Sequence, residues 1–144
     1  MLEVKFYETV KDEWLKFAVI IAVYHGKWIF CKHKNRTTLE VPGGHREAGE
    51  DILDTAKREL YEETGAIRFE IKPVCVYSVT APWNFKGKET FGMLYFAEVE
   101  ELEGELHSEI ESIVITDQLP GAWTYPDIQP RLMEEVIKRM RTGR

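Results

Sequence analysis

GHREAGEDILDTAKRELYEETGA, residues 44–66, is the stretch from which the rest of the chain can be read. From about Glu50 to Thr64 it consists of good helix formers with no proline or glycine, and Gly65 is a natural stop. At about 100° per residue, Glu59, Glu62 and Glu63 fall within an arc of about 100°, because they are spaced i, i+3, i+4. Thr55 lies in the same arc one turn earlier. Leu53, Ala56 and Leu60 gather on an adjacent arc and can face a core. One side of the helix therefore packs while a neighbouring side carries three carboxylates.

A solvated acidic face is one explanation, and an Arg58–Glu62 pair at i, i+4 would support it. Position argues against it. Glu62 and Glu63 occupy the last turn, where the helix dipole is negative and favours Lys or Arg. Local rules are broken most often at functional sites. Three carboxylates within one turn could instead supply oxygen ligands to a hard cation. Mg²⁺ suits such a set, since it takes a few carboxylates together with water and phosphate oxygens.

Outward from the helix the pattern changes period. Upstream, Glu3–Tyr7 reads as a strand, and Phe17–Tyr24 as a strand buried on both faces. His25–Gly26 is a turn, and Lys27–His33 returns as the hairpin partner. Leu39–Val41 is expected to be a short strand stopped by Pro42-Gly43-Gly44. Downstream, Ile67–Thr80 and Thr90–Glu100 read as strands around an Ala81–Glu89 loop, and Ser112–Thr116 as a last short strand. Ile128, Leu132, Met133, Val136, Ile137 and Met140 have helical spacing. Arg139 and Arg141 near that helix's end are expected to be solvated and to complement its dipole. The sum is an α/β fold, a mixed sheet between helices.

Bulk properties narrow the function. A chain of 144 residues, 44% hydrophobic and 12% aromatic, fits one globular domain spanning residues 1–144. The net charge of −6 excludes a general nucleic-acid binder, which would show a basic face. No apolar run approaches the roughly 20 residues that span a bilayer. Residues 1–5 lack a basic region followed by an apolar stretch, so a cytoplasmic location is expected. Cys31 and Cys75 sit in strand-like stretches outside any metal motif and read as buried free thiols.

The 44–66 segment resembles the Nudix box, G-x5-E-x7-R-E-U-x-E-E-x-G-U, where U is a bulky aliphatic. Gly44 opens it, Glu50 follows after five residues, and seven more lead to Arg58-Glu59. Leu60, Glu62-Glu63 and Gly65 complete the fixed positions. Ala66 is the one departure, a small residue at an aliphatic packing site. The resemblance implies a Nudix-type α/β/α sandwich. It also implies that Glu59, Glu62 and Glu63 hold divalent cations, with the Gly44 carbonyl as a further ligand and Mn²⁺ able to replace Mg²⁺. Arg58 would orient the glutamates, and Glu50 would either reach the metal or brace Arg58. The implied reaction is attack of water on a phosphorus of a diphosphate bridge, assisted by the metal and a carboxylate base. Glu63 and Glu109 are the two candidate bases.

For the substrate, a nucleobase needs an apolar slot with a few polar groups. Tyr77, Trp83, Phe85 and Trp123 are candidate walls. Lys32, Lys34, Arg36, Lys86 and Lys88 are candidate phosphate contacts. The chain is similar to family members whose substrate is a small-molecule nucleotide, which implies a nucleoside triphosphate, including oxidised forms such as 8-oxo-dGTP, cleaved to monophosphate and pyrophosphate. The alternative is ADP-ribose or a nucleotide sugar, because Pro82, 16 residues after Ala66, resembles a proline near that spacing in the ADP-ribose group of the family. A non-catalytic nucleotide-sensing module is the alternative of another class, and the intact box carboxylates speak against it. The edge of the first strand could pair across a homodimer.

Overall fold

The computed structural model describes residues 2–83, 85–106 and 110–141, with the Phe85 side chain set aside. Seven strands and two helices run in the order β1 (Glu3–Tyr7), β2 (Leu15–Tyr24), β3 (Lys27–His33), β4 (Gly43–His45), α1 (Ile52–Thr64), β5 (Ala66–Thr80), β6 (Thr90–Leu102), β7 (Ile110–Thr116) and α2 (Gln129–Arg141). The sheet order is β1-β5-β6-β2-β3-β7, with β4 branching from β2. β2 and β6 are parallel, and the other pairs are antiparallel, so the sheet is mixed.

Each face of the sheet is covered by one helix. α1 places Ile52, Ala56 and Leu60 against Ala18, Ile20, Ala97 and Val99. α2 places Leu132, Met133 and Val136 against Ile21, Phe30, Leu94 and Phe96. The result is the α/β/α sandwich expected from the pattern. Burial of β2 on both faces follows, since Ile20 and Ile21 point to opposite helices. Gly65 ends α1 in the left-handed region, at φ 80°, and its N–H returns to the Tyr61 carbonyl.

The expected strand at Leu39–Val41 is not formed. Those residues make only single bridges, Glu40 to Cys31 and Leu39 to Trp123. The strand lies instead across the glycines that were read as its stop. Gly43 and Gly44 pair with Val19 and Ala18. The reason is steric: a Cβ on Gly43 would sit 2.6 Å from the Ala18 carbonyl oxygen, so only glycine permits this approach. β2 thus shares one edge between two partners, β4 along Phe17–Val19 and β3 at Val23–Tyr24.

Arg139 also departs from expectation. It pairs with Glu135 at 2.8 Å and Glu8 at 3.3 Å and donates to the Val74 carbonyl, tying α2 to β5 rather than lying in solvent. Both cysteines are buried free thiols. No described helix is long and apolar enough to cross a membrane.

Candidate active site

The last two turns of α1 face β4. Arg58 sits at the centre of a carboxylate fan. Its Nε donates to Glu50 Oε2 at 2.8 Å and its Nη2 to Glu50 Oε1 at 3.1 Å. Its Nη1 reaches Glu59 at 3.0 Å and Glu62 at 3.3 Å, and its Nη2 also donates to the His45 carbonyl at 3.0 Å. Guanidinium geometry makes this possible, since its five donors point in fixed, divergent directions. Arg58 is consequently held more firmly protonated than usual, first by its hydrogen bonds to Glu50. The Arg58 hydrogen bonds, with those from the Glu47 backbone and the Thr55 hydroxyl, draw the Glu50 carboxyl down to about 2. Both Glu50 oxygens face Arg58, so of its two expected roles the geometry matches the bracing one.

Glu63 lies deepest. Its Oε1 accepts the Gly43 N–H at 2.9 Å, and its backbone carbonyl faces the Cys31 thiol at 3.5 Å. It is 9% exposed. Burial pushes its carboxyl up to about 8; the Gly43 hydrogen bond opposes this, and the neighbouring Glu59, Glu40 and Glu62 charges reinforce it. Glu59 is raised too, mainly by burial, with Arg58 opposing. Glu62 is the most open of the three, at 40% side-chain exposure. A Cβ on Gly44 would overlap the Glu59 carboxylate, so the bare glycine backbone lies directly against it.

A cavity of about 350 Å³ opens on the other side of β4, floored by Gly43 and Gly44 and walled by Phe17, Tyr77 and Val79. Tyr77 is buried there, its ring lying where a side chain on Gly92 would stand. Desolvation holds its phenol firmly protonated. Two polar groups not singled out in the sequence reading also line the cavity. Gln129, the first residue of α2, is 7% exposed, and its Oε1 accepts the Val41 N–H at 2.9 Å. That bond fixes which end of the amide is oxygen. Its Nε2 has no further partner among the described residues and is not sealed from solvent. Glu40 is buried, with Oε2 3.1 Å from His33 Nε2 and Oε1 3.1 Å from Arg36 Nη1. Arg36 in turn lies 5.9 Å from the centroid of the Tyr125 ring, another cavity wall.

Other sequence candidates fall elsewhere. Trp83 is 71% exposed and borders a different depression beside Leu2 and Pro126. Lys32 is bound by Glu111 across the β3–β7 pair. Trp123 packs edge-on against Phe30 in the α2-side core, with ring centroids 5.6 Å apart. Lys34 and Lys86 do not line this cavity. Glu109 and the Phe85 side chain lie outside the described residues.

The chain belongs to the Nudix hydrolases: the NUDIX domain matches residues 14–134. The Bacillus subtilis (strain 168) protein YtkD, named an 8-oxo-dGTP diphosphatase, is 33% identical over 116 residues, which cover 80% of this chain and 67% of that one. A Lactococcus lactis subsp. cremoris (strain MG1363) protein named a DHNTP pyrophosphohydrolase is 38% identical over 85 residues, 56% of this chain and about half, 51%, of the relative. The crystal structure of a mutant of the Bacillus subtilis pyrophosphohydrolase BsRppH has a TM-score of 0.77 at 26% identity, covering 96% of this chain and 90% of the other. Nudix hydrolases as a family use divalent cations and act on nucleotide-type small molecules.

Proposed function

We propose that this Nudix hydrolase cleaves a nucleoside triphosphate whose base presents a guanine-like edge, releasing the monophosphate and pyrophosphate. The carrying observation is the polar pair in the cavity beside the carboxylates. The pinned Gln129 amide offers N–H donors, and the Glu40 carboxylate offers acceptor lone pairs beyond those given to His33 and Arg36. A guanine edge presents the complement, a carbonyl acceptor beside an N–H and an amino group. The 8-oxoguanine base in the name of one relative carries that edge.

Among the described residues no three His, Cys, Asp or Glu side chains already converge as a closed metal cage. The donor set nonetheless suits Mg²⁺. Glu59, Glu62 and Glu63 are hard oxygen donors, ionised Glu63 is destabilised by burial and then by like charge, and Gly44 brings bare backbone against Glu59. Those three glutamates and the Gly44 carbonyl would hold it, with Mn²⁺ as a substitute. A cation there would acidify the attacking water and neutralise charge on the phosphate oxygens. The chain's own part is orientation and proton transfer. Arg58 fixes Glu59 and Glu62. The Gly43 N–H takes Oε1 of Glu63, which leaves Oε2 as the atom to accept the proton from water. Glu109 is the competing base.

A panel of nucleotides with Mg²⁺, read by product identity, tests this. Pyrophosphate plus monophosphate should form fastest from 8-oxo-dGTP or dGTP. Gln129→Glu keeps the bond to Val41 but replaces donors with acceptors, and should lower kcat/KM on guanine substrates about 10-fold or more. Fast release of AMP and ribose 5-phosphate from ADP-ribose, or an unchanged base preference in the variant, would overturn the reading. Full turnover by both Glu62→Gln and Glu63→Gln would overturn the assignment of these carboxylates to metal and proton transfer, and binding without turnover of any nucleotide by the wild type would point instead to a sensing module.

A further inference from the structure

Tyr77 is 6% exposed and lines the cavity beside the carboxylates. Its hydroxyl makes no hydrogen bond among the described residues, yet it is not sealed from solvent. Gly92 of β6 pairs with Tyr77 on one side and with Phe17 of β2 on the other. A Cβ on Gly92 would come within 2.6 Å of the Tyr77 hydroxyl oxygen, so the ring lies across β6 and carries that oxygen away from β5. Desolvation keeps the phenol protonated, which leaves it an O–H to donate. A phenylalanine would fill the same space without the cost of burying a polar atom that has no partner. Whatever fills the cavity takes solvent from this hydroxyl, and must offer it a hydrogen bond or leave it unsatisfied.

The hydroxyl enters the cavity from the side opposite to Glu40 and Gln129. Glu40 is bridged to Cys31 of β3, and Gln129 is tied to Val41 beside it. Tyr77 comes from β5, and β6 and β2 lie between β5 and β3. Three strand spacings make about 14 Å. Tyr77 closes one of them by lying over Gly92, which leaves room for a two-ring base. The lining between is apolar, from Phe17, Val19 and Val79. A few polar groups set on an apolar lining are what fixes the orientation of a small ligand. With the six-membered edge of a guanine turned to Glu40 and Gln129, its five-membered ring is turned to Tyr77. That ring carries an acceptor: N7 in guanine, and the oxygen on C8 in 8-oxoguanine.

We propose that the Tyr77 hydroxyl is a third base-reading group, which donates a hydrogen bond to an acceptor on the five-membered ring of the bound purine and so selects bases that carry one there. This rests on the cavity holding a guanine-like base. The shared chemistry, one acceptor at that end of the ring system, occurs in intact and in oxidised guanine nucleotides.

The test compares kcat/KM on dGTP, 8-oxo-dGTP and 7-deaza-dGTP for the wild type and Tyr77→Phe. The 7-deaza nucleotide keeps the six-membered edge but has C–H in place of N7, so it offers no acceptor to the hydroxyl. Tyr77→Phe should lose about 5- to 10-fold on at least one of the first two substrates. On 7-deaza-dGTP the loss should shrink to about 2-fold or less, since no bond is removed there. A loss confined to dGTP identifies N7 as the acceptor, and one confined to 8-oxo-dGTP identifies the oxygen on C8. The thermal midpoint should not fall, because the hydroxyl bonds to none of the described residues. Equal losses on all three substrates would make Tyr77 a packing residue and overturn the proposal, and so would no loss on any. An unaffected Tyr77→Phe beside a Gln129→Glu variant with altered base preference would remove the hydroxyl and leave the triphosphatase reading standing.

Discussion

Replacing Glu63 by Gln should stabilise the metal-free protein while abolishing its chemistry. The Glu63 carboxyl is pushed up to about 8 in the folded state, against an ordinary value near 4.5. A raised carboxyl contributes nothing adverse below its unfolded value, where both states carry the proton. As the pH rises the unfolded chain ionises first, and stability falls until the folded carboxyl ionises too. Each pH unit between the two ionisations is worth about 1.4 kcal/mol, so at roughly neutral pH the penalty is about 3 kcal/mol. Glutamine retains the oxygen that accepts the Gly43 N–H and cannot ionise. In chelator, urea denaturation should therefore show Glu63→Gln more stable by up to about 3 kcal/mol near neutrality, the difference closing at roughly pH 4. Excess Mg²⁺ should close most of the gap. A ligand at about 100 times its Kd adds about 2.7 kcal/mol, and the variant lacks one of the donors. Parallel stability curves for the two proteins between roughly pH 4 and 8 in chelator would refute the reasoning.

Two substitutions one residue apart should act differently. Gly44→Ala meets the movable end of Glu59, so melting should stay near wild type while Mg²⁺-dependent kcat falls. Gly43→Ala meets the Ala18 backbone carbonyl, and should lower stability by about 1–3 kcal/mol because β4 must leave β2. Arg58→Lys retains one charge but not the divergent bonds to Glu50, Glu59 and His45; both kcat and the urea midpoint should drop, by about 1–3 kcal/mol in stability.

The helix at the centre of the site was legible because its information is local. Three glutamates, an arginine and a terminal glycine keep their relations whatever the rest of the chain does. The hairpin β2–β3 was legible for the same reason, through His25–Gly26. β4 was not, because Pro42-Gly43-Gly44 reads as punctuation, and the need for glycine there comes from Ala18, a neighbour brought by tertiary pairing. The cavity was the least legible part. Glu40 and Gln129 reach it through contacts with Cys31 and Val41, the latter 88 residues away in sequence. Neither residue belongs to a spacing pattern. The aromatic and basic residues chosen by type divided accordingly: Tyr77 reached the cavity, while Trp83 pointed to solvent and Lys32 was captured by Glu111.

The fork at β2 separates two kinds of inheritance. The hydrolytic parts, β4 and α1, attach to one length of that strand, whereas Glu40 and Tyr125 belong to residues 34–42 and 117–128, which lie between regular elements. Such segments tolerate insertion and exchange far better than paired strands do. A lineage could therefore redraft the pocket proposed to read the base by rewriting two connecting segments and one helix start, with the carboxylate fan unmoved. Substrate diversification from this scaffold needs few coordinated changes, and directed evolution would do best to confine its libraries to those positions.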